Sequence, residues 1–183
     1  MKKESDLVKN LKNKNTQNIA FENLIHQYKK VLYWHIRRIL LNHDDTNDVL
    51  QNTFVKVFTG IQNFKGDSKL YTWIYRIATN ESLNFLKTKS KKSFNGSEEM
   101  TKYMLSNLKE DPYFDGDELQ YKLQLIISKL PEKQKLVFQM KYEQNMKFKD
   151  ISEILGTSVG ALKASYHIAV GKIKKEIEKI QTF

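Results

Sequence analysis

The chain has 183 residues, 40% of them hydrophobic, enough for one ordinary domain or two small ones, and its seven glycines and two prolines favour helices. It carries no cysteine, which excludes a disulfide framework and a thiolate metal site, and its net charge of +10 points to a polyanionic partner. The charged N-terminus, MKKESDLVKNLKNKN, lacks the apolar core of a signal peptide, and no stretch approaches the roughly 18 apolar residues of a membrane span, so the chain is expected to be soluble and cytoplasmic.

Charge divides the chain into three. Residues 1–92 hold 17 Lys and Arg against eight acids, residues 93–118 two against seven, and residues 119–183 twelve against six. Residues 1–15 are taken as a basic tail. From about Thr16 to Leu41, the residues Phe21, Leu24, Ile25, Tyr28, Val31, Leu32, Ile36 and Ile39 recur at intervals of three and four, the stripe of an amphipathic helix. Polar residues from Asn42 to Asp45 turn the chain. Val49, Thr53, Phe54, Val57, Phe58 and Ile61 mark a second helix, whose first turn holds Asp45 and Asp48 where carboxylates favour the positive end of the helix dipole. Gly66 breaks the pattern between Phe64 and Ser68, and Leu70, Trp73, Ile74, Ile77, Ala78 and Phe85 predict a third helix ending near Lys89. Residues 16–92 are thus predicted to be a helical bundle.

The acidic segment 93–118, SFNGSEEMTKYMLSNLKEDPYFDGDE, has poor periodicity and contains Gly96, Pro112 and Gly116, so it is expected to be a flexible linker, cut first by proteases, between blocks that move independently. Beyond it, Leu119, Leu123, Ile126, Ile127 and Leu130 have helical spacing, and Pro131 stops that helix and starts the next, which Val137, Phe138 and Tyr142 continue. Phe148, Ile151, Ile154 and Leu155 predict a third helix ending at Gly156, a residue suited to a left-handed cap. Ser158 sits at an N-cap position, and Val159, Leu162, Tyr166, Ala169 and Ile173 predict a fourth. The fold class is therefore all-α, two small helical domains, the second a four-helix domain with a helix-turn-helix.

With Leu162, Tyr166 and Ala169 inward, Gly160, Ala161, Lys163, Ala164 and His167 face outward near the start of the last helix, the part of a recognition helix that enters a major groove. Lys163 is placed for a guanine edge or a phosphate; an ordinary helical hairpin with a solvated lysine has the same layout. In the first block, Tyr71, Thr72, Tyr75, Arg76 and Thr79 lie opposite the Ile74 and Ile77 stripe, near Lys65 and Lys69. Rings among cations suit single-stranded bases, whereas the spacing of Trp73 assigns it to the core. His43, Asp44, Asp45 and Asp48 have the composition of a metal or nuclease site, but carboxylates at a helix start need no metal and no second acidic cluster lies nearby. There is no phosphate loop, HExxH or nucleophile elbow, so no catalytic residue, metal or cofactor is expected.

Three segments together, DDTNDVLQNTFVKVF at 44–58, FKGDSKLYTWIYRIATNESLNFL at 64–86 and LPEKQKLVFQMKYEQNMKFKDISEILGTSVGALKASYHIAVGKI at 130–173, resemble regions 2.2, 2.3 to 2.4 and 4 of the extracytoplasmic-function (ECF) RNA polymerase sigma factors. The resemblance implies a non-enzymatic factor that binds core RNA polymerase and directs promoter recognition, DNA melting and transcription initiation. It implies region 2 at 16–92 and region 4 at 119–183. Asp45, Asp48, Gln51, Asn52 and Phe54 would meet the clamp helices of the largest polymerase subunit. Lys65, Gly66, Asp67, Ser68, Thr72, Tyr75, Arg76 and Asn80 would capture the minus-ten element, and Ser158, Gly160, Lys163, Ala164, Ser165 and His167 would read the minus-thirty-five element. The acidic segment would be the connector that threads polymerase channels. Further implied partners are promoter DNA and an anti-sigma factor, without membrane insertion of this chain; with no extra domain expected after residue 183, the response to a signal would come from outside it.

The chain departs from the family pattern in places. Asn52 replaces a common glutamate, Lys147 stands where a Ser or Thr cap is frequent, and Ala164, Ser165 and Ile168 lack the usual arginines, which implies fewer phosphate clamps. The competing reading is a conventional helix-turn-helix regulator that binds palindromes as a dimer.

Overall fold

The computed structural model of the protein describes residues 2–93 and 118–181, with Glu99, Lys102, Tyr103 and Leu105 between them. Most of the acidic segment, and with it the expected flexible linker and protease site, lies outside the described residues. Among those residues the secondary structure is helical throughout, in eight α-helices.

The first, α1 (Lys2–Lys12), occupies what the charge pattern presented as a tail. Leu7, Val8 and Leu11 recur at helical spacing, and Leu11 is fully buried, so this stretch is a packed element and not a loose arm. Next, α2 (Gln17–Leu40) ends at Leu41 in the left-handed region (φ 56°), where its N–H bonds Arg37 O at 2.8 Å. A helix α3 (His43–Gly60) starts two residues before Asp45 because Asn42 is its cap, its Oδ1 accepting from Asp45 N at 2.9 Å. After a 3-10 turn at Ile61–Asn63 comes α4 (Leu70–Ser93), which runs about one turn past its expected end near Lys89. Leu24, Leu32, Ile36, Val57, Leu70, Ile74 and Ala78 are almost fully buried where these helices meet.

The second block contains α5 (Glu118–Ser128), α6 (Glu132–Phe138), α7 (Phe148–Leu155) and α8 (Val159–Gln181). Pro131 is the N-cap of α6, with φ −52°. A π turn at Gln139–Glu143, with Gln144 N on Gln139 O at 3.1 Å, interrupts the expected run from Val137 to Tyr142. It carries Gln139 and Met140 into the interior while Tyr142 is 65% exposed. A small core of Ile126, Ile127, Leu130, Phe138, Ala169 and Ile173 joins α5, α6 and α8.

The larger core does not stop at the block boundary. Leu136, Val137, Met140, Met146, Ile151, Ile154 and Leu162 belong to the same apolar cluster as the first block, chiefly through α7 lying against α4. The sequence had led to an expectation of independently moving blocks; here they share a core.

Candidate nucleic-acid interface

The loop from Phe64 to Lys69 turns at Gly66, whose φ of 81° suits a residue without Cβ, and a Cβ there would meet nothing within 4 Å. Lys65, Gly66, Asp67 and Lys69 are exposed and Ser68 is half-buried. Both loop ends are tied to α1: Lys12 Nζ donates to Phe64 O at 2.6 Å, and Glu4 Oε1 accepts from Leu70 N, the first donor of α4, at 2.5 Å. Trp73 packs on Phe64, ring centroids 5.1 Å apart, and 3.4 Å from where a Cβ on Gly60 would lie, which bears out its assignment to the packing side.

The face of α4 marked for single-stranded bases divides. Arg76 and Asn80 are exposed, but Thr72, Tyr75 and Thr79 are buried. Thr72 Oγ1 donates to Glu153 Oε2 at 3.1 Å, Lys69 Nζ to Asp150 Oδ1 at 3.0 Å, and Arg76 donates from Nε and Nη2 to Glu153 O at 2.9 and 2.6 Å. Lys69 is raised above the usual lysine value by the Asp150 hydrogen bond. Tyr75 is raised beyond the usual tyrosine range by burial. Deeper in the seam, His35 Nδ1 lies 3.0 Å from Gln144 Oε1 and Nε2 2.8 Å from Thr79 Oγ1. Burial lowers His35 to about 4. Gln139 Nε2 donates to Arg38 O at 2.9 Å while its Oε1 has no hydrogen bond. Arg38 Nε is 3.0 Å from Glu143 Oε2, an ion-pair distance without hydrogen-bond alignment, and burial raises the Glu143 carboxyl.

In the helix-turn-helix, Gly156 closes α7 in the left-handed region with φ 62°, and Ser158 caps α8, its Oγ accepting from Ala161 N at 3.3 Å. Gly160, Ala161, Lys163, Ala164 and His167 are exposed along one side of α8, with Ser165 half-buried. Tyr166 anchors the opposite side, 6.2 Å from the Phe138 ring and 5.8 Å from Phe148. Lys147 precedes α7 without a side-chain cap, as its departure from the family pattern implies.

On α3, Asp48, Gln51 and Asn52 are exposed, whereas Phe54 is 8% exposed and Asp45 holds Lys89 at 2.5 Å. Sequence reasoning missed Val55, 56% exposed beside an apolar groove lined by Phe21, Ile25, Leu50, Phe54 and Phe58. Its signal was an apolar residue off the buried stripe, one turn after Gln51. His43 is engaged by Tyr33 Oη at 2.8 Å and Asn47 Nδ2 at 2.9 Å. No group of three or more His, Asp or Glu side chains that would hold a metal ion occurs among the described residues, nor is any helix there long and apolar enough to cross a membrane.

Two helical blocks, the second a helix-turn-helix module with a basic, small-residue recognition helix, define the class of the protein as a DNA-binding transcription factor. Residues 24–92 match Sigma-70 region 2 and residues 120–173 match Sigma-70 region 4. The ECF RNA polymerase sigma factor SigW of Bacillus subtilis is 29% identical over 171 residues, covering 88% of this chain and 90% of that one. CnrH, solved with the cytosolic domain of CnrY, superposes with a TM-score of 0.70 at 17% identity over 96% of this chain and 97% of that one. The sigma factor RpoE of Bartonella quintana, solved with the anti-sigma factor NepR, does so with a TM-score of 0.66 at 15% identity over 86% and 96%. The chain belongs to the ECF subfamily of RNA polymerase sigma factors.

Proposed function

We propose that the chain is a non-enzymatic cytoplasmic initiation factor in which residues 16–92 bind core RNA polymerase and the minus-ten element and residues 119–183 bind the minus-thirty-five element. The observation that carries this reading is the succession, in one chain, of two different sigma regions in their family order. The exposed Asp48, Gln51, Asn52 and Val55 beside the apolar groove support α3 as the polymerase face, with Phe54 shaping the groove wall and Asp45 bracing the helix start. Lys65, Gly66, Asp67, Ser68, Thr72, Tyr75, Arg76 and Asn80 make up the minus-ten surface, to which Lys69 is added for its exposure and charge. For α8, capping by Ser158 and the open side at Gly160, Lys163, Ala164 and His167, with Ser165 at its edge, support insertion into a major groove.

The test is run-off transcription on genomic fragments with core polymerase, mapping transcript starts. New starts should appear only when the chain is added, one copy per polymerase; starts unchanged from core alone would end the reading. A dimeric regulator is not favoured, because it leaves the region 2 match without a role. The anti-sigma complex of the Bartonella relative supports an anti-sigma partner here as well.

A further inference from the structure

We propose that α1 is a positioning element for the minus-ten loop: Glu4 and Lys12 fix the two ends of residues 64–69, so that the exposed tip meets a promoter base in one preset shape. The inference rests on the reading of this loop as part of the minus-ten surface. Helix α1 lies ahead of the residues that match Sigma-70 region 2, 24–92. Its apolar side is docked against the first block: Leu11 is fully buried, and Leu7 and Val8 pack on the cluster that holds Phe64 and Leu70 at the two loop ends. Polar contacts then set the register. Lys12 Nζ donates to Phe64 O at 2.6 Å, Gln62 Nε2 to Lys12 O at 3.4 Å, and Leu70 N to Glu4 Oε1 at 2.5 Å. The loop entry is thus held by the C-terminal end of α1 and the exit by its first turn, anchors about two turns, or about 12 Å, apart on one rigid helix.

The tip depends on those ends. Lys65, Gly66 and Asp67 are exposed, and a Cβ on Gly66 would meet nothing within 4 Å, so the body of the protein does not shape the tip by packing there. Glycine leaves the backbone many conformations, and fixed end points narrow them. A loop that must order itself on binding loses affinity, and one that samples several shapes accommodates more than one base. Braced ends therefore act on both affinity and discrimination at the minus-ten element. Glu4 and Lys12 do this without touching DNA, because both are half-buried and engaged with loop main chain. Their hydrogen bonds reach neither α3 nor α8, so polymerase docking and minus-thirty-five reading do not depend on them.

The test uses holoenzyme and a promoter fragment mapped by run-off transcription, its strands mismatched across the minus-ten element, with single-base variants there and at the minus-thirty-five element. E4A/K12M holoenzyme should bind the parent fragment about tenfold more weakly than wild type and discriminate less among the minus-ten variants. Core affinity and the ranking of minus-thirty-five variants should stay as in wild type. E4Q/K12R keeps an acceptor at one loop end and a donor at the other, and should restore most of the lost affinity and discrimination. D6A/K9M removes one charge of each sign from the exposed side of α1 and should match wild type. Three results would overturn the proposal: E4A/K12M behaving as D6A/K9M does, E4Q/K12R being as poor as E4A/K12M, or equal loss of discrimination at both elements, the mark of a generally weakened fold. K65A/D67A at the tip separates this from the underlying reading. If that pair leaves minus-ten recognition intact, the loop is not part of the promoter surface and both readings fall; if it abolishes discrimination while E4A/K12M leaves it unchanged, only the role of α1 falls.

Discussion

Burial, not a neighbouring charge, is the main reason His35 is held at about 4, with Gln144 opposing the shift and Arg38 adding to it. His35 Nδ1 and Nε2 face Gln144 Oε1 and Thr79 Oγ1, and the Thr79 hydroxyl donates its one proton to Tyr75 O at 2.7 Å. A base whose folded value lies below its unfolded value of 6.5 binds its proton first in the unfolded chain. Its contribution is therefore complete above 6.5 and is lost as pH falls toward 4. The loss should be about 2 kcal/mol between about pH 7 and about pH 5. Glu143 acts in the opposite sense, because its raised carboxyl takes up a proton earlier in the folded chain. Urea unfolding across this window should be steeper in pH for wild type than for His35→Gln, and parallel profiles would remove His35 as the cause. Lys163, one turn into α8, reaches either a phosphate or a base edge. Lys163→Ala should weaken all minus-thirty-five variants alike and make the salt slope shallower by about one unit if it binds phosphate. If it reads guanine, the loss should be about 1–3 kcal/mol at one base position. Holoenzyme binding to single-base promoter variants at two salt concentrations distinguishes them, and no loss anywhere would refute α8 as the reader.

At the level of elements, the legible helices were those with a long buried stripe and a chemical signal at an end. Gly156 and Ser158 mark α7 and α8 and take up the left-handed and capping conformations their residue types favour, whereas Asn42, read only as part of a polar turn, is the cap of α3. Two features were not legible. The π turn at Gln139–Glu143 has no residue signature and exists because tertiary packing draws Gln139 and Met140 inward. Helix α1 was obscured by its lysines, although Leu7, Val8 and Leu11 form its buried stripe. Its consequence is local to the proposed minus-ten loop, since Lys12 holds one end and Glu4 the other. Glu4 caps α4 from outside its own helix, with a carboxylate at the positive end of the dipole. Glu4→Ala should cost about 1 kcal/mol of stability and speed amide exchange at Leu70. Chemical denaturation combined with hydrogen exchange reads both, and unaltered exchange at Leu70 would show that the cap is dispensable.

Across the whole molecule, composition divided the chain into two basic blocks but carried no information about how they meet. The reason is visible in α7: its high amphipathicity was expected to serve the second block alone, yet Ile151 and Ile154 are buried in a cluster that also contains Leu70, Ile74 and Ala78 of α4. A stripe records that a face is buried and not against what. If the shared cluster couples the blocks, a cavity made in the second must be felt in the first. The positions of the tryptophans make this measurable, because Trp34 and Trp73 both lie in the first block and are the only two in the chain. Ile154→Ala removes a side chain 3% exposed and should cost about 3 kcal/mol. For a chain of this size that corresponds to a fall in Tm of roughly 6–12 °C. Tryptophan fluorescence, which follows only the first block, and far-ultraviolet circular dichroism, which follows all helices, should both report this fall as one coincident transition. A tryptophan transition that stayed at its wild-type temperature, while the dichroism split into two steps, would show that the blocks unfold separately and that their contact contributes little to the stability of the free chain.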